Sequence, residues 1–209
     1  MKKTFFCAPI LVFAFQMLAQ QKAVTQSGET VLLFEDKTWR FENDSLNKKP
    51  EVVINNTPFK KSAEATFQLK SKKNHLSFWI NPKKWEVKTK TSNDAAEFQL
   101  EWKEGDIYSM IINEKIEIPL DGLRDVAIEN ARSVAPDIQV MKEEYRMVNG
   151  KKVLLLQMTG TIQKIKFTYH SYYYSDSKGT TQFITYSSDT LLQQKISEIE
   201  TLLNGLTVQ

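Results

Sequence analysis

Residues 138–187, IQVMKEEYRMVNGKKVLLLQMTGTIQKIKFTYHSYYYSDSKGTTQFITYS, decide the fold. Four strand-like segments follow one another: 138–148, Lys152–Ile162, Lys166–Ser175 and Thr180–Ser187. Asn149-Gly150 stands between the first two, and this pair tolerates the positive φ that both central positions of a tight hairpin turn require. Asp176-Ser177-Lys178-Gly179 joins the last two. Consecutive strands linked by short turns form an antiparallel meander, because a parallel neighbour needs a long crossover.

Working outward, Glu97–Lys103 and Ile107–Ile118 alternate around a Glu104-Gly105-Asp106 turn and read as a hairpin. Asp121 is placed to cap a helix over 122–135, with Leu123, Ala127, Ala131 and Val134 on one face and Pro136 as its stop. A second helix is expected over 190–204, capped by Asp189, with Leu192, Ile196, Ile199 and Leu203 buried and Gly205 ending it. Upstream, Phe67 and Leu69, then Leu76, Phe78 and Ile80, precede Pro82 and Trp85. The order predicts an α+β fold: a largely antiparallel sheet flanked by two amphipathic helices. It spans residues 66–209. Residues 43–65, rich in Pro, Asn and Lys, read as a linker. Residues 20–42 alternate around Val31, Leu33, Trp39 and Phe41 and read as a small N-terminal β-hairpin.

The decapeptide Leu76-Ser77-Phe78-Trp79-Ile80-Asn81-Pro82-Lys83-Lys84-Trp85 resembles the strand, proline and tryptophan that open domains of the PsbP-like class. A hairpin, a helix, a turn-linked meander and a C-terminal helix continue the resemblance over residues 66–208. Bacterial members of that class include DcrB-like periplasmic proteins. Its members serve mostly as accessory and binding proteins around larger assemblies, and the resemblance implies the same role here. It brings no catalytic motif with it.

The first 19 residues supply an address. Lys2 and Lys3 precede an apolar run from Phe5 to Leu18 that ends at Ala19, the pattern of a secretory signal peptide. Pro9 and Gln16 interrupt the run, which is shorter than the roughly 20 apolar residues a spanning helix needs. Export to the periplasm or beyond is expected, with no stable membrane span after cleavage. Cys7 is the only cysteine. A chain cut after Ala19 therefore has no disulfide, thiolate nucleophile or Cys metal site. Its formal charge falls from +3 to +1 with the loss of Lys2 and Lys3, so global charge selects no partner, and export argues against nucleic acid.

Two stretches are candidates for contact. Phe167–Tyr174 holds four of the seven tyrosines, and alternation puts His170, Tyr172 and Tyr174 on one strand face. Such a stripe suits either a binding surface or cross-strand packing beneath a helix. From residue 60 to 90, Lys60, Lys61, Lys70, Lys72, Lys73, Lys83, Lys84, Lys88 and Lys90 outnumber Glu64 and Glu86, with Trp79 and Trp85 interleaved. That pattern suits an anionic partner or a solvated strand edge. His75 and His170 are the only histidines and lie far apart in sequence, so no metal is expected. Nucleophile-elbow, phosphate-loop and His-Glu-x-x-His patterns are absent from the sequence. Glu143 and Glu144 face opposite sides of a strand. No catalytic residue and no cofactor is assigned. The reading is an exported, non-catalytic binding protein that docks on a protein or envelope component. The alternative is a carrier holding an apolar small molecule among Tyr172, Tyr174, Trp79 and Trp102. A third reading, an enzyme, requires a polar cleft with His170 or His75 beside a carboxylate.

Overall fold

The computed structural model describes residues 21–25, 28–35, 37–43 and 52–208. The expected signal segment, residues 1–19, lies outside them. The chain divides into two units, one ending at Glu51 and one beginning at Val52.

The first unit carries β1 (Gln21–Val24), β2 (Thr30–Leu33) and β3 (Trp39–Phe41), an antiparallel sheet in the order β1-β2-β3. The expected hairpin is its β2–β3 half. It gains a third strand because Gln21-Lys22-Ala23-Val24, which has no alternation to announce it, pairs with Leu33 back to Thr30.

The second unit contains β4 (Val53–Phe59), β5 (Phe67–Lys70), β6 (Leu76–Ile80), β7 (Trp85–Val87), β8 (Phe98–Trp102), β9 (Tyr108–Glu114), α1 (Leu120–Val134) and β10 (Gln139–Val148). It continues through β11 (Lys151–Ile162), β12 (Ile165–Asp176), β13 (Gly179–Ser188), α2 (Asp189–Gln194), α3 (Ile196–Leu203) and β14 (Leu206–Val208). One sheet has eight strands in the order β4-β10-β11-β12-β13-β9-β8-β7, and a smaller sheet runs β14-β6-β5. The meander of residues 138–187 is the centre of the large sheet. Asn149 (φ 49°) and Gly150 (φ 78°) make its first turn, as the positive-φ requirement predicts.

Three corrections concern the ends of elements. Residues 53–59, read as linker, form β4, which runs parallel to β10, so the sheet is mixed. Its Asn-Asn-Thr-Pro centre is poor strand material, and the pairing skips from Arg146↔Asn55 to Met147↔Pro58 to accommodate it. The expected single helix over 190–204 breaks at Lys195 (φ −111°) into α2 and α3, and the chain then returns as β14 against β6. Helix α1 starts at Leu120 behind Pro119, and Asp121 sits in its first turn without capping it. Its buried stripe is Leu123, Ala127, Ile128 and Ala131, with Val134 left exposed.

The large sheet is sandwiched. One face packs on α2, α3 and the small sheet through Phe78, Trp85, Leu100, Trp102, Tyr172 and Phe183, among others. Phe78 meets Phe183 edge to face at 5.4 Å. The opposite face takes α1 over Leu154, Leu156, Met158 and Tyr173. Each fully buried side chain of this size contributes about 1.5–3 kcal/mol relative to exposure, so the two cores supply the stability that a cysteine-free domain needs.

Candidate binding site

Alternation on β12 sends His170, Tyr172 and Tyr174 to the α3 side, where all three are buried. They form no outward surface: the sheet they stand on is covered by helix and small sheet, which selects the packing alternative over a docking face. Trp85 is buried too, edge to face with Trp102 at 5.2 Å. The core positions taken by Tyr172, Tyr174 and Trp102 leave the expected carrier pocket filled.

What the aromatic strand does meet is a charged cluster. Arg146, 3% exposed, donates from Nε to Glu144 Oε1 at 2.5 Å, and from Nη1 to the Tyr172 hydroxyl at 2.9 Å and Glu200 Oε1 at 2.8 Å. Asn55 Nδ2 donates to the same Glu144 oxygen at 3.3 Å, and Tyr172 donates to Asn204 Oδ1 at 3.0 Å. His170 Nε2 lies 3.4 Å from Glu200 Oε1, with its Nδ1 3.3 Å from Gln157 Oε1. The His170 ring and the Arg146 guanidinium hold the Glu200 carboxyl down at about 2 against its burial. Burial pushes the His170 pKa down and the Tyr172 phenol up to about 12, so both are neutral near pH 7. The cluster ties β4, β10, β12 and α3 together. A histidine does stand beside a carboxylate here, yet His170 is 1% exposed, so its ring is closed off from solvent.

His75 forms the second such pair, 3.0 Å from Asp176 Oδ2, and the Tyr174 hydroxyl donates to the same oxygen at 2.8 Å. The Lys178 amide, Tyr174 and His75 hold the Asp176 carboxyl below its usual range despite partial burial. Among the described residues no group of three His, Cys, Asp or Glu side chains is placed to hold a metal ion.

The basic segment does not gather into one patch. The β5–β6 hairpin reverses the chain with Lys70↔Ser77 and Phe67↔Ile80 paired, so Lys70, Lys72 and Lys73 occupy its turn while Lys60, Lys61, Lys83 and Lys84 stand at the opposite end. Lys84 is taken up by Glu198 at 2.7 Å, and Lys88 by Glu101 at 3.1 Å. Lys83 remains exposed.

One groove does open at this end. Pro58, Phe59, Lys60, Lys61, Met147, Asn149 and Gly150 line an open depression of about 510 Å³. Its floor is set from beneath: the Arg146 guanidinium stacks 4.3 Å from the Phe59 ring centre. Asn149 fixes the wall, accepting from the Lys61 amide at 2.9 Å and donating to the carbonyls of Asn204 and Leu206 at 2.8 and 2.7 Å. Across Lys61, whose Nζ lies 4.8 Å over the indole, stands the half-buried Trp79. Of the residues expected to bind, Trp79 and Lys83 are therefore at or near a surface, and Lys84 is paired beside it. Arg146, Glu200 and Phe59 were not singled out in the sequence, and Glu144 and Asn149 were named only as a member of a carboxylate pair and as a turn residue. A signal existed: the two-residue Asn149-Gly150 turn pairs Arg146 with Val153 and Glu144 with Leu155, opposing two charges to two core residues.

No protein-family model matches the chain, and no curated protein matches it. Solved structures do. The solution structure of cyanobacterial PsbP (CyanoP) from Synechocystis sp. PCC 6803 is 14% identical with a TM-score of 0.51, over 71% of this chain and 95% of that one. The crystal structure of LpqN, described as involved in cell envelope biogenesis of Mycobacterium tuberculosis, is 10% identical with a TM-score of 0.51, over 68% of this chain and 90% of that one. At such identities the likeness is one of fold: the chain has a PsbP-like fold.

Proposed function

We propose that this is an exported, non-catalytic accessory protein that docks on an envelope or secreted partner through the Phe59–Lys61 groove and the adjoining Trp79. The observation that carries the reading is the placement of polar groups. His170 is buried beside Glu200 and His75 is half-buried beside Asp176, whereas the groove offers solvent an apolar floor (Pro58, Phe59, Met147) with lysines at its rim. Such a surface fits a partner segment that carries apolar side chains next to carboxylates. The involvement of LpqN in cell envelope biogenesis and the sequence pattern at residues 1–19 support export and an envelope setting. Among the described residues no helix is long and apolar enough to cross a membrane.

The test is a pull-down from the native envelope with purified residues 20–209, comparing the wild type with a Trp79→Ala/Lys60→Glu variant whose circular dichroism and melting are unchanged. A defined partner retained by the wild type and lost by the variant supports docking here. A partner held equally by both sinks this groove as the contact.

A further inference from the structure

The face of the large sheet under α1 holds a second recess, about 290 Å³ and half open to solvent. Its floor is Met110, Met158, Tyr169, Tyr173, Gln182 and Ile184. The last turns of α1 form one wall with Ala127, Ala131 and Val134, and Asn93, held against Met110 Sδ by its side-chain amide at 3.8 Å, closes the other side. Small side chains on α1 keep the helix close to the sheet at Met158 and Tyr173 while leaving room above β9 and β13.

Two features specify what such a recess takes. Among its lining residues there is no Asp, Glu, Lys or Arg, so a charged ligand would lose its hydration with no counter-ion in return. Asn93, Asn130 and Ser133 also line the recess, but on its floor Gln182 carries the one side-chain amide. It is 8% exposed, and its side-chain amide has no hydrogen-bond partner among the described residues. That amide is not sealed from solvent, and it offers a ligand in the recess one donor and one acceptor at a fixed place. The tyrosine rings and the thioethers of Met110 and Met158 favour flat, polarizable groups. The volume, at the low end of ligand pockets, admits one or two rings and excludes a two-chain lipid.

We infer that this cleft binds an uncharged, ring-bearing small molecule whose single hydrogen-bonding group is met by Gln182. The expected carrier site thus moves from the filled side of the sheet to the α1 side. The inference stands apart from the docking reading, because the two surfaces share no lining residue and this one is tested on the purified protein alone.

The probe is N-phenyl-1-naphthylamine, which is uncharged, has two ring systems and one N–H, and fluoresces in apolar surroundings. The wild type is expected to bind it saturably at one per chain, and its sulfonated relative 1-anilinonaphthalene-8-sulfonate at least tenfold more weakly. Gln182→Leu, close in shape, should weaken the neutral probe about five- to tenfold. Val134→Trp, at the exposed mouth, should weaken it more. Non-saturable binding by the wild type, equal affinity for the sulfonate, or wild-type affinity in folded Gln182→Leu overturns the inference. Should Val134→Trp fail to fold, the Gln182→Leu and sulfonate comparisons decide alone.

Discussion

Glu200 on α3 accepts a hydrogen bond at 2.8 Å from Arg146 on β10, so a carboxylate from near the end of the domain reaches a guanidinium on the inner face of the sheet. Since Arg146 also supports the Phe59 ring, this one pair connects the C-terminal helix to the floor of the proposed docking groove.

Replacing Arg146 with Met should therefore be more harmful than its conservative volume implies. Glu144 and Glu200 would be left beside each other without their shared cation, a loss of about 3–5 kcal/mol in urea unfolding. Adding Glu144→Leu should recover part of that loss. A single-variant cost under about 1 kcal/mol would mean that the cluster is not what ties α3 to the sheet.

Acid should weaken the fold in two stages. His170 has a folded pKa below its ordinary value of 6.5, and Glu200 sits at about 2 against an ordinary 4.5. For each group the unfolded chain takes up the proton first. Stability is full above the unfolded pKa and falls as pH drops, first below about 6.5 and again below about 4.5. Melting temperatures measured from pH 8 to pH 3 should show both limbs, and His170→Asn should flatten the upper one and, because His170 also holds the Glu200 carboxyl down, make the lower one shallower. An unchanged upper limb in that variant would refute the assignment.

A Cβ on Gly205 would lie 1.9 Å from the Trp79 carbonyl oxygen, and the Trp79 amide donates to the Gly205 carbonyl at 2.9 Å. Gly205→Ala must push β14 off β6. We expect a loss of about 3 kcal/mol, measured by urea titration, with faster hydrogen exchange confined to β14 and β6. A neutral substitution would show that the closure is looser than the distance implies.

Asn149 combines a left-handed backbone with three side-chain bonds. Asn149→Gly keeps the turn and loses only the bonds, at about 1–3 kcal/mol. Asn149→Ala loses both and should be worse by about 1 kcal/mol. Equal costs would show that the turn adds nothing.

The central meander, its Asn-Gly turn and both helical regions were legible because each rests on local spacing. Parallel pairing of β4 with β10 was not: it joins residues 89 apart, as in the Asn55–Glu144 bond, and nothing local in an Asn-rich, proline-containing stretch announces a distant partner. The break at Lys195 was hidden for a related reason. The stripe of Leu192, Ile199 and Leu203 satisfies one continuous helix as well as two short ones, and the return of β14 to β6 decides between them. For the site, Tyr172 was correctly placed with His170 on one face, but what covers that face depends on α3 and on Arg146, which alternation alone does not supply. The cleft under α1 depends on where a helix crosses a sheet, and spacing does not encode that.

The placement of β4 bears on how the molecule behaves when shortened. A chain cut at residue 66, the boundary that periodicity marks, would lack β4 and lay bare the backbone of β10 at the sheet margin. Along Glu144–Val148 the amides and carbonyls that β4 engages would then be free to pair with the same margin of another copy. β4 thus acts as a guard on the solubility of the sheet, and a trimmed form should accumulate as edge-joined oligomers where the longer chain stays dispersed.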